Sequence, residues 1–352
     1  MAKKLNFNFW RKGIGIDLGT ANTLVYVDGR GIVINEPTYV AINEKTGKVM
    51  AVGMEAKDML GRTPLNIKVI RPLVDGVISD FEMAQEIVSH LLRRVNTRGG
   101  IFNLFHSAVV SVPSDLTEVE RKSVEDAVVG SGVAKAYIIE SSLAAALGAR
   151  LPVHEPVANM IVDIGAGTTE IAIISMGGTV TVKSLRIAGD KLNDDIMKFV
   201  RDEYHLAIGV PTAEQIKIEI GSVLPQDEML TMSIRGRDLA SGLPKEVTLK
   251  ENQIRTAISK SVSKIVDAVR EVIEVSPPEL VGDILRQGIY MCGGTSLLRG
   301  MDALIQRELN VKTHMVEDPL TCVARGTGVA VENIEKYEHI LDNPLKPKDI
   351  KL

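Results

Sequence analysis

Two short stretches of this 352-residue chain carry the residue types that handle phosphate. "GIGIDLGTANTLVYV" (residues 13–27) and "NMIVDIGAGTTEIAII" (159–174) each run from β-branched residues into Asp, Gly and Thr, then back into β-branched residues. The pattern predicts strand, tight turn, strand, with Asp17 and Asp163 at matching places. Glycine tolerates positive φ and lets backbone N–H groups approach phosphate oxygens closely. Thr20, Asn22, Thr168 and Thr169 add side-chain donors. Two aspartates facing across a cleft would hold a hydrated Mg2+, which keeps several waters and takes few direct carboxylates. One hairpin of this kind is ordinary. A matched pair in corresponding halves points to a phosphate clamp.

Two weaker signals accompany the pair. "MCGGTSLL" puts Gly293 and Gly294 in a turn expected to open a helix after a strand, where backbone can approach a base or ribose and a helix N-terminus favours anionic groups. "TAEQIKIEIG" sets Glu214 and Lys217 three apart on one helix face, which alone reads as a solvated ion pair.

The elements that must position these residues follow an α/β order. "DFEMAQEIVSHLLRRV" has Met83, Ile87, Leu91 and Val95 at helical spacing and opens with acids. "SAVVSVP" reads as a buried strand. "DLTEVERKSVEDAVVGSG" reads as a helix with a capping box starting at Asp115 or Thr117. "AKAYIIE" is a strand and "SSLAAALGARL" a short helix. The second half repeats the scheme, with a long amphipathic helix in "ENQIRTAISKSVSKIVDAVREVIEV" that stops at Pro277-Pro278.

Composition narrows the class. A formal net charge of −4 argues against nucleic-acid binding, whose usual footprint is a basic patch. Two cysteines, Cys292 and Cys322, are too few for a disulfide framework or a four-ligand metal site, which suits a reducing compartment. No apolar run reaches the roughly 18 residues of a membrane span, and no cleavable signal pattern is present. Composition therefore predicts a soluble cytosolic protein. Of six Phe and one Trp, five fall in "KKLNFNFWRK" and "GGIFNLF". The first sets Leu5, Phe7, Phe9 and Trp10 between basic pairs, which suits insertion at an anionic membrane surface. The second is expected to be a loop presenting Ile101, Phe102, Leu104 and Phe105.

"GIDLGTANT", "VDIGAGTTE", "AGDKLNDDI", "TAEQIKIEIG" and "CGGTSLLRG", in this order and spacing, resemble the actin/Hsp70/sugar-kinase ATPase superfamily. "GIVINEPTYVAI", "GRTP", "IRPLVDGVISDFE" and "SPPELVGDI" are similar to the bacterial actins of the MreB/Mbl type, over about residues 13–333. The resemblance implies an α/β, actin-like ATPase fold of two domains, each with a smaller inserted subdomain, closing on ATP and Mg2+ in a central cleft. The expected domains are 1–154, with an insert at about 36–76, and 155–352, with an insert at about 190–259.

By that resemblance Asp17, Gly19, Thr20, Ala21 and Asn22 form the first phosphate loop. Asp163, Gly165, Ala166, Gly167, Thr168 and Thr169 form the second, and Gly189 and Asp190 stand beside the phosphates. The segment Glu214, Gln215, Ile216 and Lys217 approaches ribose and adenine, with Gly293, Gly294, Thr295, Ser296 and Leu297 on the other side of the nucleoside. Asp17 and Asp163 hold the metal through water. Ala166 and Thr295 stand where the family has Gly. Leu104 and Phe105 match a loop that faces the membrane together with the N-terminal segment.

One departure bears on catalysis. Aligning the alanines of "IIESSLAAALG" puts Ser141 on the family's catalytic Glu and Ser142 on its Pro, with Glu140 one place early. Serine is no base near neutral pH, and carboxylate assistance is worth about 10²–10⁴-fold. The implied catalytic set is therefore Ser141, Glu140, Thr168 and Thr169, with ATP bound normally and hydrolysed slowly unless Glu140 takes the role. The implied protein polymerises head to tail into protofilaments that pair as antiparallel doublets. It lies in the cytoplasm at the inner membrane face and serves cell-shape or wall-synthesis membrane proteins, without nucleic acid. A metabolic kinase would need a carboxylate base for a substrate hydroxyl, and none is strongly placed. An Hsp70-like chaperone would carry a substrate-binding domain after the last Gly turn. A nucleotide-gated scaffold with almost no turnover differs from the leading reading only in kinetics.

Overall fold

The computed structural model describes residues 12–95 and 105–342. It divides into two compact units, one running to Leu151 and resuming at Thr321, the other spanning Pro152–Leu320.

The first unit begins with a meander of β1 (Lys12–Leu18), β2 (Asn22–Val27) and β3 (Gly31–Pro37). An insert follows: β4 (Val40–Asn43), β5 (Val49–Val52), the short α1 (Met54–Asp58) and β6 (Ile67–Ile70) form their own three-stranded sheet within the expected 36–76. After the small ribbon β7 (Leu73–Val74) and β8 (Val77–Ile78) comes α2 (Phe81–Val95). The chain then alternates β9 (Phe105–Val112), α3 (Glu118–Gly130), β10 (Lys135–Glu140) and α4 (Ser141–Gly148). The main sheet runs β10-β9-β1-β2-β3, with β9 and β10 parallel to β1. Thr117 caps α3 in a reciprocal box with Glu120, which selects Thr117 over Asp115 as the helix start.

Strand β1 shows how alternation divides labour. Ile14 and Ile16 face the core that α2 fills with Ile87, Leu91 and Val95. Gly13 and Gly15 face the other way, where a Cβ on Gly15 would overlap Thr327 and one on Gly13 would come 2.6 Å from Val331. Both contacts belong to α10 (Cys322–Glu332). The C-terminal segment therefore belongs to the first unit rather than to the expected 155–352, because these glycines open a seat for α10 against β1. The other boundary falls at Leu151/Pro152, three residues before the expected one.

The second unit reuses the plan. A meander of β11 (Asn159–Ile164), β12 (Thr169–Ser175) and β13 (Gly178–Leu185) leads into α5 (Gly189–Tyr204). Next come β14 (Leu206–Ala207), α6 (Val210–Ile220), β15 (Thr231–Asp238) and β16 (Pro244–Lys250), whose three strands form the insert's sheet. Helix α7 (Glu251–Glu274) is continuous, so the expected insert end near 259 falls inside a helix. After α8 (Pro278–Gln287) and β17 (Ile289–Cys292), α9 (Met301–Leu309) and β18 (Thr313–Met315) complete a sheet ordered β13-β12-β11-β17-β18. Met160, Val162, Ile171 and Ile173 of this sheet are fully buried with Ile258 and Ile265 of α7.

Candidate functional site

The first hairpin turn lies between β1 and β2. Gly19 N donates to Asn22 O at 3.1 Å, and a Cβ on Gly19 would come 2.7 Å from that same oxygen. Gly19 is therefore required by the tightness of the turn and not by positive φ, which it does not adopt. Thr38 braces the turn by donating its hydroxyl to Gly19 O at 2.7 Å and its N–H to Ala21 O at 2.8 Å. Thr20 is buried and its hydroxyl accepts from Gly76 N at 3.1 Å, while Asn22 donates to Asn35 at 2.9 Å.

Asp17 is the penultimate residue of β1, beside Ser111 of β9, its register partner, whose hydroxyl donates to Asp17 Oδ1 at 3.0 Å. Burial pushes the Asp17 carboxyl up to about 6, opposed by that hydrogen bond. Desolvation disfavours the anion, and a nearby cation would reverse that penalty. Ser111, Thr38 and Gly76 were missed by motif reading. The signal for Ser111 was a hydroxyl set between the valines of "SAVVSVP".

The second hairpin turn, between β11 and β12, is a convergence point. Gly165 O accepts from Gly189 N at 3.2 Å and from the Thr295 hydroxyl at 2.7 Å. Ala166 O accepts from Asp190 N at 2.8 Å, and Lys217 Nζ donates to Gly189 O at 2.9 Å. A Cβ on Gly189 would come 2.6 Å from Thr295 Oγ1 and 3.1 Å from Lys217 Nζ. Gly293 has φ +83°, and a Cβ there would overlap Asp163 Oδ1 and Ile164 O. Four segments far apart in sequence thus meet around one turn. Burial lowers the Lys217 pKa, against the opposing fields of Glu214 and Asp190.

Several expected roles change. Thr169 is fully buried and donates its hydroxyl to Ile187 O at 2.7 Å, so of the threonine pair Thr168 is the part-exposed one. Ile216 lies wholly in the core and Gln215 bonds along its own helix to Glu219 at 2.8 Å, so neither side chain joins the cluster. Ser296 is buried and donates back to Gly293 O at 2.6 Å. Gly294–Leu297 form a short 3₁₀ turn and α9 starts only at Met301, so the Gly turn does not open an α-helix. The exposed Gly294 and Leu297 stay at the surface of that turn.

Strand register places the segment that the resemblance implies is catalytic. Ser111 aligns with Asp17 on one side and Ile139 on the other, while Glu140 aligns with Val112. Side chains alternate along a strand, so Glu140 points to the sheet face opposite Asp17. Ser141 begins α4.

Phe105 is corrected as a membrane residue. It is the first residue of β9, only 8% exposed, and packs in the first unit's core. Leu5, Phe7, Phe9, Trp10, Ile101, Phe102 and Leu104 lie outside the described residues. Among the described residues no helix is long and apolar enough to cross a membrane.

The MreB/Mbl protein family matches residues 11–339. The chain belongs to this family. It is 46% identical over 327 residues to the cell shape-determining protein Mbl of Bacillus subtilis, covering 92% of this chain and 97% of that protein. It is 45% identical over 341 residues to the cell shape-determining protein MreB of Escherichia coli, covering 96% and 98%. Among solved structures, MreB5 of Spiroplasma citri bound to ADP superposes with a TM-score of 0.88 at 41% identity, covering 94% and 98%. A double helical filament of MamK shares the fold, with a TM-score of 0.78 at 23% identity over 92% and 99%. The chain is thus an actin-like protein of the bacterial cytoskeleton, and the expected fold class holds.

Proposed function

We propose that the chain binds ATP with Mg2+ and polymerises head to tail into protofilaments, paired as antiparallel doublets at the inner face of the cell membrane. There it organises cell shape with wall-synthesis membrane proteins. The observation that carries the nucleotide reading is the convergence of Gly165, Gly189, Lys217 and Thr295 on one turn beside Asp163. The ADP-bound and AMPPNP-bound structures of MreB5 support it.

The donor chemistry fits the metal. Asp17 and Asp163 are hard oxygen ligands, and Asp17 is a carboxylate that burial leaves short of compensation. Holding Mg2+ through water, they would let it neutralise phosphate charge when bound. Ser111 orients one oxygen of Asp17. Thr168 supplies a part-exposed hydroxyl on the second hairpin. The membrane reading rests on Leu5, Phe7, Phe9, Trp10 and Leu104, with filament avidity multiplying weak single contacts.

Hydrolysis is slow in this reading, and at the limit the filament is a nucleotide-gated scaffold. Ser141 offers no base, and the register of β10 turns Glu140 away from the Asp17 face. The test is phosphate release under polymerising conditions, measured with sedimentation, for the native protein and Ser141→Glu. Native filaments that form with ATP and release little phosphate, with turnover raised at least tenfold by the substitution, are expected. Equal turnover in both would reject the role given to position 141.

A further inference from the structure

Helix α6, which carries Glu214 and Lys217, and the turn at 293–297 are tied together at two places. One tie lies at the second hairpin turn. There Gly165 O accepts from Gly189 N and from the Thr295 hydroxyl, and Gly189 O accepts from Lys217 Nζ. The other tie is Arg299, the arginine that ends "CGGTSLLRG". Its Nη1 donates to Ile218 O at 3.1 Å and to Gly221 O at 3.2 Å. Its own carbonyl accepts from Val223 N at 2.9 Å, and its backbone bridges Ser222 in parallel register.

Each half of this clasp has a physical reason. Ile218 O is among the last four carbonyls of α6, which find no partner within the helix, and a cation there also meets the negative end of the helix dipole. Gly221 caps α6 and packs directly on Leu298, where a Cβ would come 2.2 Å from Lys217 O and 2.9 Å from Leu298 Cδ1. Ser222 is fully buried and donates to Glu251 Oε1, which also accepts from Arg255 at 2.5 Å. Glu251 is itself buried and opens α7, so the end of α6 is anchored before Arg299 reaches it.

The bonds close a ring. It runs from Gly165 through Gly189 and Lys217, along the last turn of α6 to Arg299, and back down the chain to Thr295. Removing the Arg299 side chain leaves the far side held by backbone at Val223. We propose, on the nucleotide reading above, that Arg299 is a positioning residue for the nucleoside of ATP. It acts through α6 and the turn at 293–297 by fixing the gap between them. Binding groups keep their geometry only when the residues behind them are locked, and Arg299 is the lock away from the phosphates.

The test titrates the full chain with fluorescent ATP and Mg2+, competed by unlabelled ATP or by inorganic tripolyphosphate, for the native protein, Arg299→Ala and Arg299→Lys. Arg299→Ala gives up two hydrogen bonds and should lower ATP affinity by about tenfold or more. Tripolyphosphate affinity should stay within about twofold, because both hairpin turns keep their own bonds. Arg299→Lys, whose ammonium still offers donors to these carbonyls, should recover at least about threefold of the loss. If Arg299→Ala does not fold by circular dichroism, Arg299→Lys carries the test, with ATP weakened and tripolyphosphate unchanged. A parallel loss of both ligands would make Arg299 a general support, and unchanged ATP affinity in Arg299→Ala would separate the clasp from the nucleoside. Either result overturns the positioning role and leaves the nucleotide reading standing. A native protein that binds no ATP rejects both.

Discussion

The two hairpin turns solve one local problem with different support. The first, at Gly19, is braced by its own neighbourhood: Thr38, just ahead of the insert, and Gly76, just beyond it, hold the turn, and Ser111 holds the aspartate. The second, at Gly165, is braced by Gly189, Lys217 and Thr295, themselves expected nucleotide ligands. The comparison teaches that matching motifs need not share a supporting structure. Damage to the first turn should change the charge state of one carboxylate. Damage to the second should dismantle several binding segments together.

The largest effect should come from Gly293→Ala. Its φ of +83° is strained for any L side chain, and the added methyl would overlap Asp163 Oδ1 and backbone at Ile164. Left-handed strain and the backbone overlap together should cost about 3 kcal/mol or more. Denaturant unfolding should show that loss, and fluorescent-nucleotide titration should show affinity falling with it. If affinity falls while stability holds within about 0.5 kcal/mol, the second turn is not the shared support described above.

Asp17→Asn tests the first turn through pH. The folded Asp17 holds its proton to about 6, against 3.8 ordinarily, so between these values the native state binds more protons than the unfolded chain. Stability without nucleotide should then fall as pH rises from about 4 to 6, by on the order of 2–3 kcal/mol. The asparagine variant should lack this slope. Affinity for ATP with Mg2+ should do the reverse, rising through pH 6 in the native protein because the cation needs the carboxylate, and staying flat in the variant. A native affinity that is flat from pH 5 to 7.5 would separate Asp17 from the metal.

Much of the arrangement was legible in the residues. Periodicity marked α2 and α7, the capping box marked α3, and both hairpins fell where Asp-x-Gly motifs put them. What escaped depended on long-range packing. Gly13 and Gly15 look like part of a phosphate motif, yet they seat α10, more than 300 residues away in sequence. Phe105 looked like a loop aromatic because nothing local says that β9 starts there. The resemblance alone put Ser141 in the place of the family's catalytic Glu, whereas the facing of Glu140 required the register of β9 and β10.

The smallest effect sharpens the comparison inside the second turn. Thr168 and Thr169 are indistinguishable as sequence, but Thr169 is fully buried with its hydroxyl on Ile187 O, while Thr168 is part-exposed. Thr169→Val keeps the shape and removes that hydrogen bond, leaving a carbonyl short of a partner. It should cost about 1 kcal/mol of stability and leave nucleotide affinity within twofold. Thr168→Val should do the opposite, with stability within about 0.5 kcal/mol and a several-fold loss in ATP affinity or phosphate release. Melting curves and nucleotide titrations on the two variants separate the cases. Should both variants lose stability and keep affinity, the second hairpin would be a structural turn, and the nucleotide reading would then rest on Asp163, Gly189 and Lys217 alone.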